Sequence, residues 1–155
     1  DKLIGEKETG KENYTATFDV PYEPGTLKAV NSKGKEEFVL KTAGAPAAIR
    51  LIADRSKIKA CKNDLSYVKI ELVDKNGNVV PETSLPVKIE CTGKGTVIAG
   101  GNAAYADMES FRSLTPNTFR GKAIAIVQPD GEKGDIQVKV SAKGLEDASI
   151  VITTY

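Results

Sequence analysis

From Ala47 to Tyr155 the chain alternates apolar and polar residues with a period of two, and that pattern leaves little room for anything but strands. Val68, Ile70 and Leu72 share one side of the Leu65–Val73 stretch, with Lys69 and Glu71 on the other. Ile49 and Leu51 repeat the pattern, as do Val87, Ile89 and Cys91, then Ile136, Val138 and Val140. Ser149-Ile150-Val151-Ile152-Thr153 supplies a last strand. Ala123 to Val127 is apolar on both faces and reads as a central strand. Turn signals fall between these segments at Asp74-Lys75-Asn76-Gly77-Asn78, Gly93-Lys94-Gly95, Pro129–Gly134 and Lys143-Gly144. An all-β fold follows: an immunoglobulin-like antiparallel β-sandwich of about seven strands, over 44–155.

The boundary falls at Thr42-Ala43-Gly44-Ala45-Pro46, small residues ending in a proline that a central strand rejects. Residues 1–43 read as the C-terminal part of a truncated β-sandwich domain of three or four strands. Asn13–Val20 is expected to be a strand with Tyr14, Ala16 and Phe18 on one face. Pro24-Gly25 sets a tight turn into a hairpin, with Leu27, Ala29 and Val30 going out and Phe38-Val39-Leu40 returning. A partial sandwich exposes an apolar face and an unpaired edge. This segment is therefore expected to dock on the following domain or to self-associate.

Several function classes are disfavoured at once. Histidine is absent, which removes the commonest general base and the commonest metal ligand. No metal site, cofactor site or catalytic residue is expected. Lys plus Arg number 22 against 21 for Asp plus Glu, with neither half biased, so a nucleic-acid partner is not expected. No apolar run approaches the ~20 residues of a membrane span. Carboxylates at Asp54, Asp64, Asp74, Glu82, Glu90, Asp107, Glu109, Asp130 and Asp135 sit in turns or on polar strand faces, where solvated side chains belong. The turn starting at Asp74 resembles a calcium loop but lacks its further acidic ligands.

Cys61 and Cys91 are the only cysteines. Cys91 lies on an inward strand face and reads as a buried free thiol, Cys61 lies at a polar turn, and a disulfide between them stays open. Residues 103–118 form the one long irregular stretch, expected to pack down with one helical turn. Tyr105, Phe111 and Phe119 lie in or beside it, and two roles are open to them: contact with a glycan or a neighbouring domain, or plugging one end of the sandwich. Absence of tryptophan counts against a sugar-stacking platform. Glu109 and Arg112 form a candidate ion pair at a domain junction. The candidate interdomain or ligand contacts are thus Tyr105, Glu109, Phe111, Arg112 and Phe119.

Specific motifs add a resemblance. Val20-Pro21-Tyr22-Glu23-Pro24-Gly25-Thr26-Leu27-Lys28-Ala29-Val30, then Thr42–Pro46, Ile49-Arg50-Leu51 and Asp54-Arg55, resemble the C-terminal region of bacterial β-galactosidase-type enzymes of glycoside hydrolase family two. The match continues through Asp64–Val68, Val73–Pro81, Glu109-Ser110-Phe111 and Phe119–Ala123. Two departures stand out: the Gly100–Asp107 loop lacks the usual Gly-Asn-Gly and proline run, and Cys61 replaces a turn that is normally Asp-Gly-like.

The resemblance implies a non-catalytic accessory role. In that family the catalytic glutamates sit in a (β/α)8 barrel upstream, and tail sandwiches buttress it. The implied partners are the upstream catalytic and β-sandwich domains of the same polypeptide, with carbohydrate as a further candidate. A periplasmic, secreted or cell-surface location in a bacterium is also implied. Two alternatives remain in view, a carbohydrate-binding module and an adhesin-type stalk, since Val73–Pro81 also resembles invasin-like and intimin-like repeats. No second copy of that motif occurs in the chain, which counts against a stalk.

Overall fold

The computed structural model describes residues 2–11, 14–31, 34 and 36–155. It divides into two units, Asp1–Thr42 and Ala43–Tyr155.

In the first unit two strands, β1 (Thr26–Val30) and β2 (Glu37–Lys41), pair as an antiparallel hairpin. Its base is closed twice between Gly25 and Thr42: the Thr42 N–H reaches the Gly25 carbonyl at 2.8 Å, and the Gly25 N–H reaches the Thr42 hydroxyl at 2.9 Å. Leu27 pairs with Leu40 and Ala29 with Phe38, which puts all four on one side, and every residue of both strands is exposed. The strand expected over Asn13–Val20 does not form: residues 14–20 are irregular, and Asn13 lies outside the described residues. Tyr14 takes a φ of +52° and donates its N–H to the Gly10 carbonyl at 2.8 Å, so a turn replaces the start of that strand. Two strands, rather than three or four, are thus found among the described residues here.

The second unit is the sandwich. Its strands are β3 (Ala48–Ala53), β4 (Lys57–Ile58), β5 (Ser66–Val73), β6 (Val87–Gly93), β7 (Gly95–Gly101), β8 (Lys122–Pro129), β9 (Gly134–Ala142) and β10 (Ala148–Thr154). One sheet runs β3-β5-β8-β7 and the other β4-β10-β9-β6, all antiparallel except the short β4–β10 pairing. Alternation decides what goes inside. Val68, Ile70, Leu72, Ala125 and Val127 of the first sheet meet Val87, Ile89, Ile136, Val138, Val140 and Ile152 of the second in one dry core. Burying each Val, Leu or Ile among them stabilises by roughly 1.5–3 kcal/mol.

Close approach of side chain and backbone leaves no room for a Cβ at two glycines of β7. A Cβ on Gly95 would meet Ile136 Cδ1 at 2.5 Å, and one on Gly100 the Ser113 carbonyl at 2.9 Å. Residues 102–121 join β7 to β8 without a helix, so the expected helical turn is absent; isolated turns stand in its place. The last part of this connection covers the edge of β6. Ile89 and Val87 donate their N–H groups to the carbonyls of Leu114 and Pro116 at 2.8 and 3.0 Å, and Thr118 donates to Leu85 at 2.8 Å. An edge that would otherwise template another strand is closed by the chain itself.

Among the described residues no helix is long and apolar enough to cross a membrane.

Candidate functional site

The sequence-derived candidates all lie in the β7–β8 connection, and the structure separates them into two groups. Tyr105 stands fully in solvent, with Met108 95% exposed beside it in sequence. Phe111 is 69% exposed, while Phe119 is half-buried with the Arg120 guanidinium 5.5 Å from its ring centre. Tyr105 and Phe111 therefore do not plug the end of the sandwich. Buried in this connection instead are Pro116 and Thr118, which lie along the edge of β6.

Asparagines hold the loop's shape, and sequence reasoning passed over them. Asn102 donates from Nδ2 to Asp107 at 2.5 Å and to the Asn117 carbonyl at 2.9 Å, while its Oδ1 accepts the Ala104 N–H at 2.7 Å. Asn117 donates from Nδ2 to Glu109 at 2.6 Å. Glu109 thus takes an amide in place of the expected Arg112 guanidinium, and no Glu109–Arg112 ion pair occurs among the described residues. The Arg112 N–H instead reaches the Ser110 hydroxyl at 3.2 Å. A shallow hollow of about 310 Å³ opens here, lined by Ser84, Asn102, Asp107, Asn117 and Phe119. Its polar groups already serve the loop: Ser84 Oγ donates to the Thr118 carbonyl at 2.7 Å, and Asp107 accepts the Glu109 N–H at 2.9 Å. Such groups are spent on positioning backbone and leave little to orient a ligand.

The motif residues that carried the resemblance form corners of the scaffold. Asp54, at the end of β3, accepts the Tyr67 N–H at 2.8 Å and the Ser66 hydroxyl at 3.2 Å. Arg55 pairs with Asp64 at 2.7 Å. The Lys59 N–H, donated to Asp64 at 2.7 Å, and then Arg55 hold that carboxyl below the usual carboxylate range. Asp74 gathers four donors: the N–H groups of Gly44, Asn76 and Asn78 and the Asn78 side-chain amide. The Gly44 N–H does most to lower its pKa, which falls to about 2. A loop whose lead carboxylate is saturated by N–H donors has turned away from cation binding.

Both cysteines are free. Cys61 is exposed; Cys91 packs partly buried against the core, and that burial pushes its thiol pKa up. A raised pKa leaves less thiolate and a poorer nucleophile.

With strands ordered β3-β5-β8-β7 against β6-β9-β10, the second unit is an immunoglobulin-like sandwich, an all-β class that hosts many unrelated functions. Its membership is narrower. The profile described as "Glycoside hydrolase family 2 C-terminal domain 5" matches residues 49–151, and the chain belongs to that family. A domain of unknown function, DUF4982, matches residues 1–38.

Among curated proteins the chain is similar to "Beta-galactosidase BoGH2A" of Bacteroides ovatus, 32% identical over 98% of this chain and 18% of that protein. It is also similar to a beta-galactosidase of Thermoanaerobacter pseudethanolicus, 30% identical over 74% of this chain and 16% of that protein. Among solved structures, a glycosyl hydrolase family 2 member from Bacteroides cellulosilyticus superposes with a TM-score of 0.88 at 37% identity, covering 97% of this chain and 21% of that one. The chain therefore spans about a fifth of the length of the relatives it matches.

Proposed function

We propose that this chain is a non-catalytic accessory segment of a β-galactosidase-type glycoside hydrolase, adding interface to the catalytic part and positioning neighbouring domains. One observation carries the reading: 98% of the chain aligns within 18% of a β-galactosidase, over a stretch that belongs to a C-terminal domain family. The state of the carboxylates supports it. Asp54, Asp64, Asp74, Asp107 and Asp130 each accept backbone N–H bonds, which commits them to holding turns. A glycosidase needs two carboxyls free to face each other across a cleft.

The test is direct. Incubated with a nitrophenyl β-galactoside, the 155-residue chain gives no turnover, while the longer polypeptide that carries it does. Turnover by the chain itself overturns the accessory role.

The bare apolar face of the β1–β2 hairpin favours docking on further strands of its own domain. Sedimentation that shows a dimer lost on Phe38→Lys assigns that face to self-association instead. A carbohydrate-binding role has one observation in its favour, the full exposure of Tyr105. Glycan-array binding that disappears in Tyr105→Ala would establish it.

A further inference from the structure

The two outer faces of the sandwich differ in kind. On the β4-β10-β9-β6 sheet the outward positions are Lys88, Glu90, Gln137, Lys139 and Ser149, with Val151 the lone large apolar side chain. That is the usual pattern of an antiparallel sheet with one wet face. On the β3-β5-β8-β7 sheet the outward positions include Ile52, Tyr67, Ile98 and Ile124, each between 38% and 42% exposed, and a half-buried Ile126.

Strand register makes these residues neighbours. Ile52 pairs with Lys69, Lys69 with Ile124, and Ile124 with Gly101; one row over, Tyr67 pairs with Ile126. The row is extended by the β7–β8 connection. A Cβ on Gly101 would lie 2.7 Å from the Phe111 ring, so the missing side chain lets that ring lie on the sheet beside Ile124. The Phe111 carbonyl accepts the Gly100 N–H at 2.7 Å, which anchors it there. Phe111 still leaves 69% of its surface bare. A residue held in place by backbone and yet uncovered is shaped for contact with something else.

We propose that this face, from Ile52 across Tyr67, Ile124 and Ile126 to Phe111, is the docking surface for the remainder of the hydrolase polypeptide. The inference rests on the accessory reading above and names the surface that carries it. About four-fifths of the relatives' length lies outside this chain, which supplies a partner that is always present at high effective concentration. Charge narrows the partner's chemistry. Lys69 stands between Ile52 and Ile124, and the next row holds Arg50 and Lys122 about the carboxylate of Glu71, so the complementary surface is apolar with acidic groups placed against these cations.

Hydroxyl-radical footprinting tests this by reading side-chain cover. In the longer polypeptide, Tyr67 and Phe111 are oxidised at least about fivefold more slowly than in the 155-residue chain, whereas Val151 is unchanged. Phe111→Asp or Ile52→Lys in the longer polypeptide returns Tyr67 to its free rate, and neither variant shifts the unfolding temperature of the 155-residue chain. Unchanged labelling of Tyr67 and Phe111 overturns the proposal. So does protection that grows with concentration in the 155-residue chain alone, which assigns the face to a second copy. Glycosidase activity is scored separately: a longer polypeptide that cleaves no galactoside but protects both residues sinks the β-galactosidase reading and leaves the docking face standing.

Discussion

The carboxylate of Asp74 accepts the backbone N–H of Gly44 at 2.8 Å, joining the turn after β5 to the chain that leads into β3. The same oxygen takes the Asn78 amide at 3.1 Å, and the other takes two backbone N–H groups. Asp74→Ala frees all four donors at a residue only 4% exposed, and the melting temperature is expected to fall by roughly 5–10 °C. Its folded pKa of about 2 lies below the ordinary 3.8, so the contribution is complete above that ordinary value and is lost as pH falls towards 2. Melts between pH 5 and 2 should be steeper in pH for the natural chain than for Asp74→Ala. Equal slopes would remove Asp74 from the acid response. Some slope stays in the variant, because Asp64, Glu71 and Glu90 are also held below their usual range.

Glu71 points outward from β5 and is nonetheless only 3% exposed. Burial alone would raise its pKa, but hydrogen bonds from Arg50 and Lys69 outweigh that and lower it. Arg50 donates from Nε and Nη2 to the same Glu71 oxygen, at 2.9 and 2.6 Å, and from Nη1 to the Gly77 carbonyl at 2.9 Å. Arg50→Ala leaves the covered carboxylate with Lys69 as its one cation, at 3.1 Å, and should cost about 2 kcal/mol in urea unfolding. Pairing it with Glu71→Gln should recover most of that loss. A double variant as weak as the sum of the two singles would show that the pair is not coupled.

Legibility followed periodicity. β6, β9 and β10 could be read from alternation because one face of each is dry and the other wet, and β5 alternates in the same way although Glu71 on its outer side is covered. β8 was readable as central, and it does lie between β5 and β7. Its second apolar face is another matter: Ile124 and Ile126 are only partly covered within this chain, so two-sided apolarity reflects the outer face as well as the strand's position. β7 escaped notice because Gly95, Gly100 and Gly101 interrupt any pattern and a bulge shifts its register at Ile98. β4 is two residues long and carries no period at all. Of the loop candidates, Tyr105 and Phe111 are at the surface, yet the groups that shape the loop are Asn102 and Asn117. Side-chain amides bonding across a long irregular loop leave no periodic trace.

Glycines test the packing of the corners from the other side. Gly93 has a φ of +97°, and a Cβ there would come within 2.1 Å of the Asp135 carbonyl oxygen. Gly131 has a φ of +109° with nothing within 4 Å. Alanine at either meets the same backbone penalty, about 1 kcal/mol, while at Gly93 the collision between β6 and β9 adds to it. Gly93→Ala should therefore lose about 3 kcal/mol or more and Gly131→Ala about 1. Similar losses in chemical denaturation would show that the β6–β9 corner yields readily to an added methyl.

Burial is distributed unevenly between the two units, and that sets which part can stand alone. Every buried hydrophobic residue among those described lies between Ile49 and Ile152, inside the sandwich. In the first unit β1 and β2 are exposed throughout, and Ala16 is the one residue described there that is even half-buried. A lone two-stranded hairpin is marginal in water, because two strands bury too little to offset the ordering of their backbone. Expressed separately, residues 43–155 should show the circular dichroism of a β-sandwich and one cooperative melt within a few degrees of that of the whole chain. A peptide of residues 1–42 should give a coil spectrum with no melt. The informative failure is a 43–155 chain without a cooperative transition, for it would mean that the hairpin unit supplies cover the sandwich cannot do without.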